Sequence, residues 1–115
     1  MRRRMKRRLL LLTILLAGCA SKESATVKAI VGAKLIAAPG RAPVEYSVIV
    51  VEGGKFREVG PQSSTPVPKD AQLIEGRGMT VTPVDSANPI EAGQPANLVL
   101  NGASSRTMRN GEWVP

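Results

Sequence analysis

The chain has 115 residues, with 16 Lys and Arg against 9 Asp and Glu, no His and one Cys. This length admits one small domain. The missing His excludes Ser-His-Asp triads, Cys-His dyads and the usual His-bearing zinc sites, and the single Cys excludes an intrachain disulfide. Tyr46, Phe56 and Trp113 are the only aromatic residues, too few for a platform on which bases stack. The net charge of +7 is concentrated at the start, where Arg2, Arg3, Arg4, Lys6, Arg7 and Arg8 supply six cations. From Cys19 onward ten cations face nine anions. Nucleic-acid binding rests on a basic patch, and this remainder has none, so no nucleic-acid partner is expected.

Behind the basic block, Leu9 to Ala17 is apolar at every position but Thr13. The run is far short of the roughly 20 residues that a spanning helix needs. A short apolar run behind a cationic start has the form of a secretory signal peptide. It ends in Leu16-Ala17-Gly18-Cys19, which resembles the bacterial lipobox. That resemblance implies a lipoprotein: the Cys19 thiol takes a diacylglyceryl group, cleavage falls before Cys19, and the new amine is acylated. Residues 1–18 are then the signal peptide, and residues 19–26 are the lipidated Cys with a polar tether. Each buried CH₂ contributes about 0.8 kcal/mol, and stable anchoring takes about two chains, so three acyl chains would hold the mature protein to a leaflet. The membrane-lipid partner is reached through Cys19. Ala20 stands where Asp favours inner-membrane retention in Gram-negative lipoproteins, so the resemblance implies the periplasmic side of the outer membrane in such a host.

From Val27 the periodicity is close to two, as in strands. Val27 to Val31 and Ala33 to Ala37 read as strand, with Gly32 between them as a bulge or bend. Residues 38–43 form a loop, and Tyr46 to Glu52 is the strongest strand in the chain. Gly53-Gly54 fits a two-residue hairpin turn leading to Lys55 to Val59. Gly60 to Asp70, with three prolines, is a loop. Gln72 to Glu75, Met79 to Thr82 and Leu98 to Leu100 are short strands. Thr107 to Arg109 and Glu112 to Val114 flank Asn110-Gly111, a strong hairpin signal. No segment has helical periodicity. The chain therefore reads as all-β, with residues 27–115 forming a small β-sandwich or partly open barrel of short antiparallel strands.

These strands carry a second resemblance. Lys28-Ala29-Ile30-Val31-Gly32-Ala33-Lys34-Leu35-Ile36, Val48-Ile49-Val50-Val51-Glu52-Gly53-Gly54-Lys55, Val59-Gly60-Pro61, Val67-Pro68 and Gly78-Met79-Thr80-Val81-Thr82-Pro83 follow in order. Together they resemble the N-terminal segment of metal-dependent amidohydrolases. Ile90-Glu91-Ala92-Gly93-Gln94-Pro95-Ala96-Asn97-Leu98-Val99-Leu100 and Thr107-Met108-Arg109-Asn110-Gly111-Glu112-Trp113-Val114 resemble the segments that follow the catalytic barrel. The resemblance implies that the first and last segments pair into one composite β-sandwich. It also shows a departure. In that family the strand ending in Pro runs on to an Asp-x-His-x-His metal motif, whereas here Pro83 is followed by Val84-Asp85-Ser86-Ala87-Asn88 and then by the C-terminal segment. The barrel is missing between them, and no metal ligand carries over.

Other chemistry is thin. Neither Ser-x-x-Lys nor Gly-x-Ser-x-Gly occurs, and Gly76-Arg77-Gly78 reads as a turn. Asp85 and Glu91 read as solvated loop residues rather than an acid/base pair. Trp113 reads as a packing residue. No catalytic, cofactor-binding or metal-ligating residue is assigned, and Cys19 is the one modification site. The expectation is a membrane-anchored module that binds or supports rather than catalyses, with a protein partner or a second copy on the face that a barrel would cover. An accessory subunit of an amidohydrolase-type hydrolase, or a remnant of one, stays open. The anchor gives the first prediction. Cys19→Ala abolishes incorporation of radiolabelled fatty acid and leaves an uncleaved or differently processed precursor. Equal labelling of both forms would exclude the lipoprotein assignment.

Overall fold

A computed structural model describes residues 26–115. The expected signal peptide, Cys19 and the tether up to residue 25 lie outside the described residues. Eight strands follow one another: β1 (Val27–Leu35), β2 (Val44–Glu52), β3 (Lys55–Pro61), β4 (Gln72–Glu75), β5 (Thr80–Pro83), β6 (Leu98–Asn101), β7 (Ser105–Arg109) and β8 (Glu112–Val114). There is no helix among the described residues. The sheet runs β3-β2-β1-β5-β6-β7-β8, with β4 also on β1. Every pairing is antiparallel except β1–β4 and β1–β5. The all-β expectation holds, and the first and last segments do join in one sheet, through β5 and β6.

The sheet curls toward a barrel because the segment leading into β6 hydrogen-bonds to the free side of β3. Phe56 N–H donates to the Gln94 carbonyl at 2.9 Å, Gly93 N–H to the Phe56 carbonyl at 2.8 Å, and Ala96 N–H to the Gly54 carbonyl at 2.9 Å. The ring thus runs from β1 through β2 and β3 to residues 93–96, and back through β6 and β5 to β1. On the far side it stays open, between β4 and the β7–β8 hairpin.

Both faces of β1 up to Ala33 and of β2 from Ser47 to Val51 are largely buried, which explains their nearly continuous apolar sequence. Toward the barrel interior, Ile30, Ala33, Leu35, Ile49 and Val51 pack with Phe56, Val81, Leu98, Leu100 and Met108. On the outer face, Val27, Ala29, Val48 and Val50 are covered by Val67 and Ala71 from the loop between β3 and β4. Burying a Val, Leu, Ile or Phe side chain stabilises by about 1.5–3 kcal/mol, so both layers contribute.

Gly32 makes this arrangement workable. The register with β2 passes from Val31↔Val48 to Ala33↔Ser47, leaving Gly32 as the extra residue of a bulge at φ +94°. A side chain there would strike Arg77 Cγ at 2.7 Å. The extra residue switches the parity of β1. Without it Lys34 would face inward and Leu35 outward. With it Leu35 is 1 % exposed, and Lys34 reaches solvent beside Glu45, at 3.8 Å. Opposite the bulge, the buried Ser47 hydroxyl donates to the Ala33 carbonyl at 2.7 Å. Beside Ser47, Tyr46 takes a positive φ of 52° and points outward.

The strand bounds lie close to those read from sequence. Gln72–Glu75 and Glu112–Val114 match, Gly32 is a bulge within a single strand, and Ser105 and Arg106 extend β7 beyond the expected start at Thr107. The expected start of β2 at Tyr46 moves back to Val44, across its irregularity. Both hairpin turns, Gly53-Gly54 and Asn110-Gly111, have positive φ at both central residues, as type I′ turns require. Their tips touch: a Cβ on Gly111 would lie 3.0 Å from Gly54 Cα and 3.3 Å from a Val51 methyl. Gly111→Val therefore combines backbone strain with a clash. It is expected to destabilise the fold by about 2 kcal/mol or more, read as a lower urea midpoint at unchanged slope. An unchanged midpoint would contradict the packing of the two tips.

Candidate functional site

The open side of the barrel holds the site. It arises because β4 pairs only with β1, and β8 only with β7, among the described residues. A cleft of about 440 Å³ lies between β4 and the inner face of β6–β8, with Leu73, Ile74 and Glu75 on one wall and Leu100, Arg106 and Trp113 on the other. A second cleft of about 720 Å³ continues it toward the hairpin tips, sharing Gln72 and adding Lys28, Gly54, Asn110 and Glu112. Together they form one groove along β4.

Arg106 and Trp113 share a face of the sheet for a reason readable in the register. The two-residue turn pairs Arg109 with Glu112 and hence Met108 with Trp113. Arg106 lies two residues from Met108, on the same face, and its guanidinium carbon sits 4.0 Å from the centre of the Trp113 ring. Such a cation–π contact is worth about 0.5–1 kcal/mol at an exposed site. Trp113 itself packs on the main core, as do Ile74 and Met79. On the outer face of β4, Leu73 is 65 % exposed. At the other end of the groove the Lys28 side chain is only 12 % exposed. Its ammonium donates to the Gly111 carbonyl at 2.9 Å and lies 3.7 Å from the exposed Glu112 carboxylate. It thereby ties β1 to the tip of the last hairpin.

The carboxylates are mostly engaged singly with cations. Glu91 lies 2.6 Å from Arg41, Glu52 3.0 Å from Arg57, and Glu75 3.0 Å from Arg77. Asp85 accepts from Ala87 N–H at 2.9 Å and from the Asn88 amide at 3.3 Å, so it holds its own loop. Asp85 and Glu91 are thus in separate contacts, as solvated loop residues. Among the described residues no three His, Cys, Asp or Glu side chains lie close enough to hold a metal ion. The Glu75 carboxyl is held below the usual carboxylate range, first by hydrogen bonds from the Arg77 side chain and then by its backbone N–H, and the Arg77 pKa is raised in return.

Cys19 lies outside the described residues. Trp113 is a packing residue, as its sequence context suggests, and it also carries Arg106. The sequence reading passes over Arg106, although the Asn110-Gly111 turn fixes the register that places it beside Trp113.

No family model matches the chain, and no curated protein matches it. Among solved structures the chain is similar to phenylurea hydrolase B, at 36 % identity and a TM-score of 0.47, over 50 % of this chain and 13 % of that one. It is also similar to molinate hydrolase, at 29 % identity and a TM-score of 0.46, over 50 % of this chain and 12 % of that one. The chain spans about an eighth of the length of these proteins.

The Glu75–Arg77 pair titrates in a defined direction. A carboxyl with a lowered folded-state pKa contributes stability above its unfolded pKa, and loses it as pH falls through the folded value. Both groups are exposed, so the contribution is small, but the midpoint is measurable. A carbon-detected NMR titration is expected to place the Glu75 midpoint below that of an unpaired Glu, and Arg77→Gln to return it to the ordinary range. A midpoint indifferent to that substitution would show that the pair does not form in solution.

Proposed function

We propose that this chain is a lipid-anchored, non-catalytic β module that works as a binding surface at the cell envelope, on the periplasmic side of the outer membrane in a Gram-negative host. The observation that carries this reading is the groove on the open side of the barrel. There an unpaired strand edge and the Arg106–Trp113 pair meet in one concave surface, with Leu73 exposed on the outer face of β4 beside it. Such a surface can hold another molecule without transforming it. The sequence supplies the anchor: a basic start, a short apolar run and Leu16-Ala17-Gly18-Cys19. The residues between Cys19 and Val27 give a reach of about 3.3–3.6 Å each when extended, so the module would stay close to the leaflet.

The carboxylate chemistry supports a non-catalytic role. General acid/base work needs two groups held together at one reacting centre. Here Glu52, Glu75, Glu91 and Glu112 each lie beside a Lys or Arg.

A second reading has its own support. Residues 27–83 and 90–114 join through β5 and β6 into one sheet, the composite arrangement that the resemblance to amidohydrolases implies. That would suit an accessory subunit docking to a separate barrel chain.

Activity separates the two. The mature protein, extracted from membranes in detergent, is expected to hydrolyse no amide or cyclic amide above background, with or without added Zn²⁺. Metal-dependent turnover with about one zinc per chain would overturn the non-catalytic reading. Turnover that appears only on adding a separate barrel protein would establish the accessory role.

A further inference from the structure

We infer that the groove between β4 and the β7–β8 hairpin takes one extended polypeptide strand, which pairs with the free edge of β4 and sets an acidic side chain against Arg106. This rests on the binding-module reading and names the class of partner.

The argument starts from the backbone. β4 is four residues long and hydrogen-bonds to β1 along one edge. Its other edge pairs with nothing among the described residues and faces a cleft rather than open surface. An unpaired edge presents alternate N–H and C=O groups, and the ligand that matches such a row is another extended chain. β4 is short and carries a charge only at its last residue, Glu75; no Pro, no Lys and no bulge interrupts Gln72-Leu73-Ile74-Glu75.

Side chains then set the composition of the guest. Ile74 faces the interior, in register with Ile30, and Leu100, Met79 and Trp113 line the same cleft. An incoming strand would therefore turn alternate residues inward onto an apolar floor. Charge fixes the rest. Glu75 is engaged by Arg77 and Glu112 by Lys28. Arg106 has no carboxylate within 4 Å among the described residues, and is held in place by stacking on Trp113. The groove thus offers one unmatched, oriented cation, and Arg is the side chain best suited to a carboxylate. The guest carries Asp or Glu on the inward phase, one strand period from an apolar residue.

The test uses the mature protein immobilised in detergent micelles, with a phage-displayed library of random nonapeptides as the probe. Enriched peptides are expected to alternate, with an apolar residue and an Asp or Glu two positions apart. Arg106→Gln should remove the acidic preference, and Arg106→Glu should turn it to Lys or Arg. N-methylation of an enriched peptide at alternate amides should weaken binding at least ten-fold in one phase and leave the other phase unchanged, as one-sided strand pairing requires. No enrichment over bare support would overturn the proposal. So would selection indifferent to Arg106, or loss that is equal in both methylation phases. A concentration-dependent dimer that blocks enrichment would assign the groove to a second copy, and would likewise overturn it. Fatty-acid labelling of the same preparations separates the readings: labelled protein without peptide enrichment removes the strand proposal and leaves the anchored module standing.

Discussion

The structure depends on one constraint: β1 is paired along both edges and, up to Ala33, largely buried on both faces. One edge is held by β2 over the whole strand. The other is shared, with β4 along Lys28–Val31 and β5 along Lys34–Leu35. A strand in that position can expose almost no polar side chain, which is why Val, Ala, Ile and Leu dominate it. Its one deeply placed charge, Lys28, lies at the end where the Gly111 carbonyl can receive its ammonium. The bulge at Gly32 serves the same constraint. It lets one strand supply an outer layer in its first half and still direct Ala33 and Leu35 inward in its second, while Lys34 remains in solvent.

Much of this is legible in the sequence, and the limits have physical causes. Strand positions are readable because glycine pairs and Asn110-Gly111 mark turns whose backbone needs positive φ, and because Val48 to Val51 is a run only a sheet interior accepts. The bulge is readable because a lone Gly inside an apolar strand has few other uses. What is not readable is pairing across distance. Nothing local in Gln72-Leu73-Ile74-Glu75 says that it lies parallel to β1, and nothing in Gly93 to Ala96 marks it as the segment that closes the barrel onto β3. The start of β2 is displaced for a related reason. Tyr46 looks like the first residue of a strong strand, but it occupies a positive-φ position in an irregularity that starts two residues earlier, at Val44. For the site, the register of the last hairpin was within reach and places Arg106 beside Trp113. The groove was not, because its other wall comes from β4, some thirty residues earlier in the chain.

Electrostatics plays a different part at the surface than in the interior. Pairs such as Arg41–Glu91 and Arg57–Glu52 are substantially exposed, where solvent screening leaves them about 1 kcal/mol or less. They do not hold the fold together. They leave Lys55, Lys69, Arg106 and Arg109 as the cations without a carboxylate within 4 Å among the described residues. Of these, Arg106 stacks on Trp113, which keeps its guanidinium at the cleft rather than free in solution.

The groove itself follows from the way β1 divides its second edge. β4 ends where Gly76 N–H donates to the Val31 carbonyl at 2.8 Å. β5 begins three residues further along β1, where Lys34 N–H donates to the Met79 carbonyl at 2.9 Å. Between these contacts lies Gly32, with Arg77 packed over it and Gly76 against Ala33 and Ile30. A bulge adds twist to the strand that carries it, so the two neighbours on that edge leave β1 in different directions. β5 carries β6, β7 and β8 away over the core, while β4 stays behind with the first three strands. The gap between them needs no missing residue or distorted loop. It is what remains when one strand serves two parts of a sheet that diverge from it, and it leaves β4 with an unpaired edge at the mouth of the core. On the opposite side of the ring, residues 93–96 bond to β3 and close the gap there.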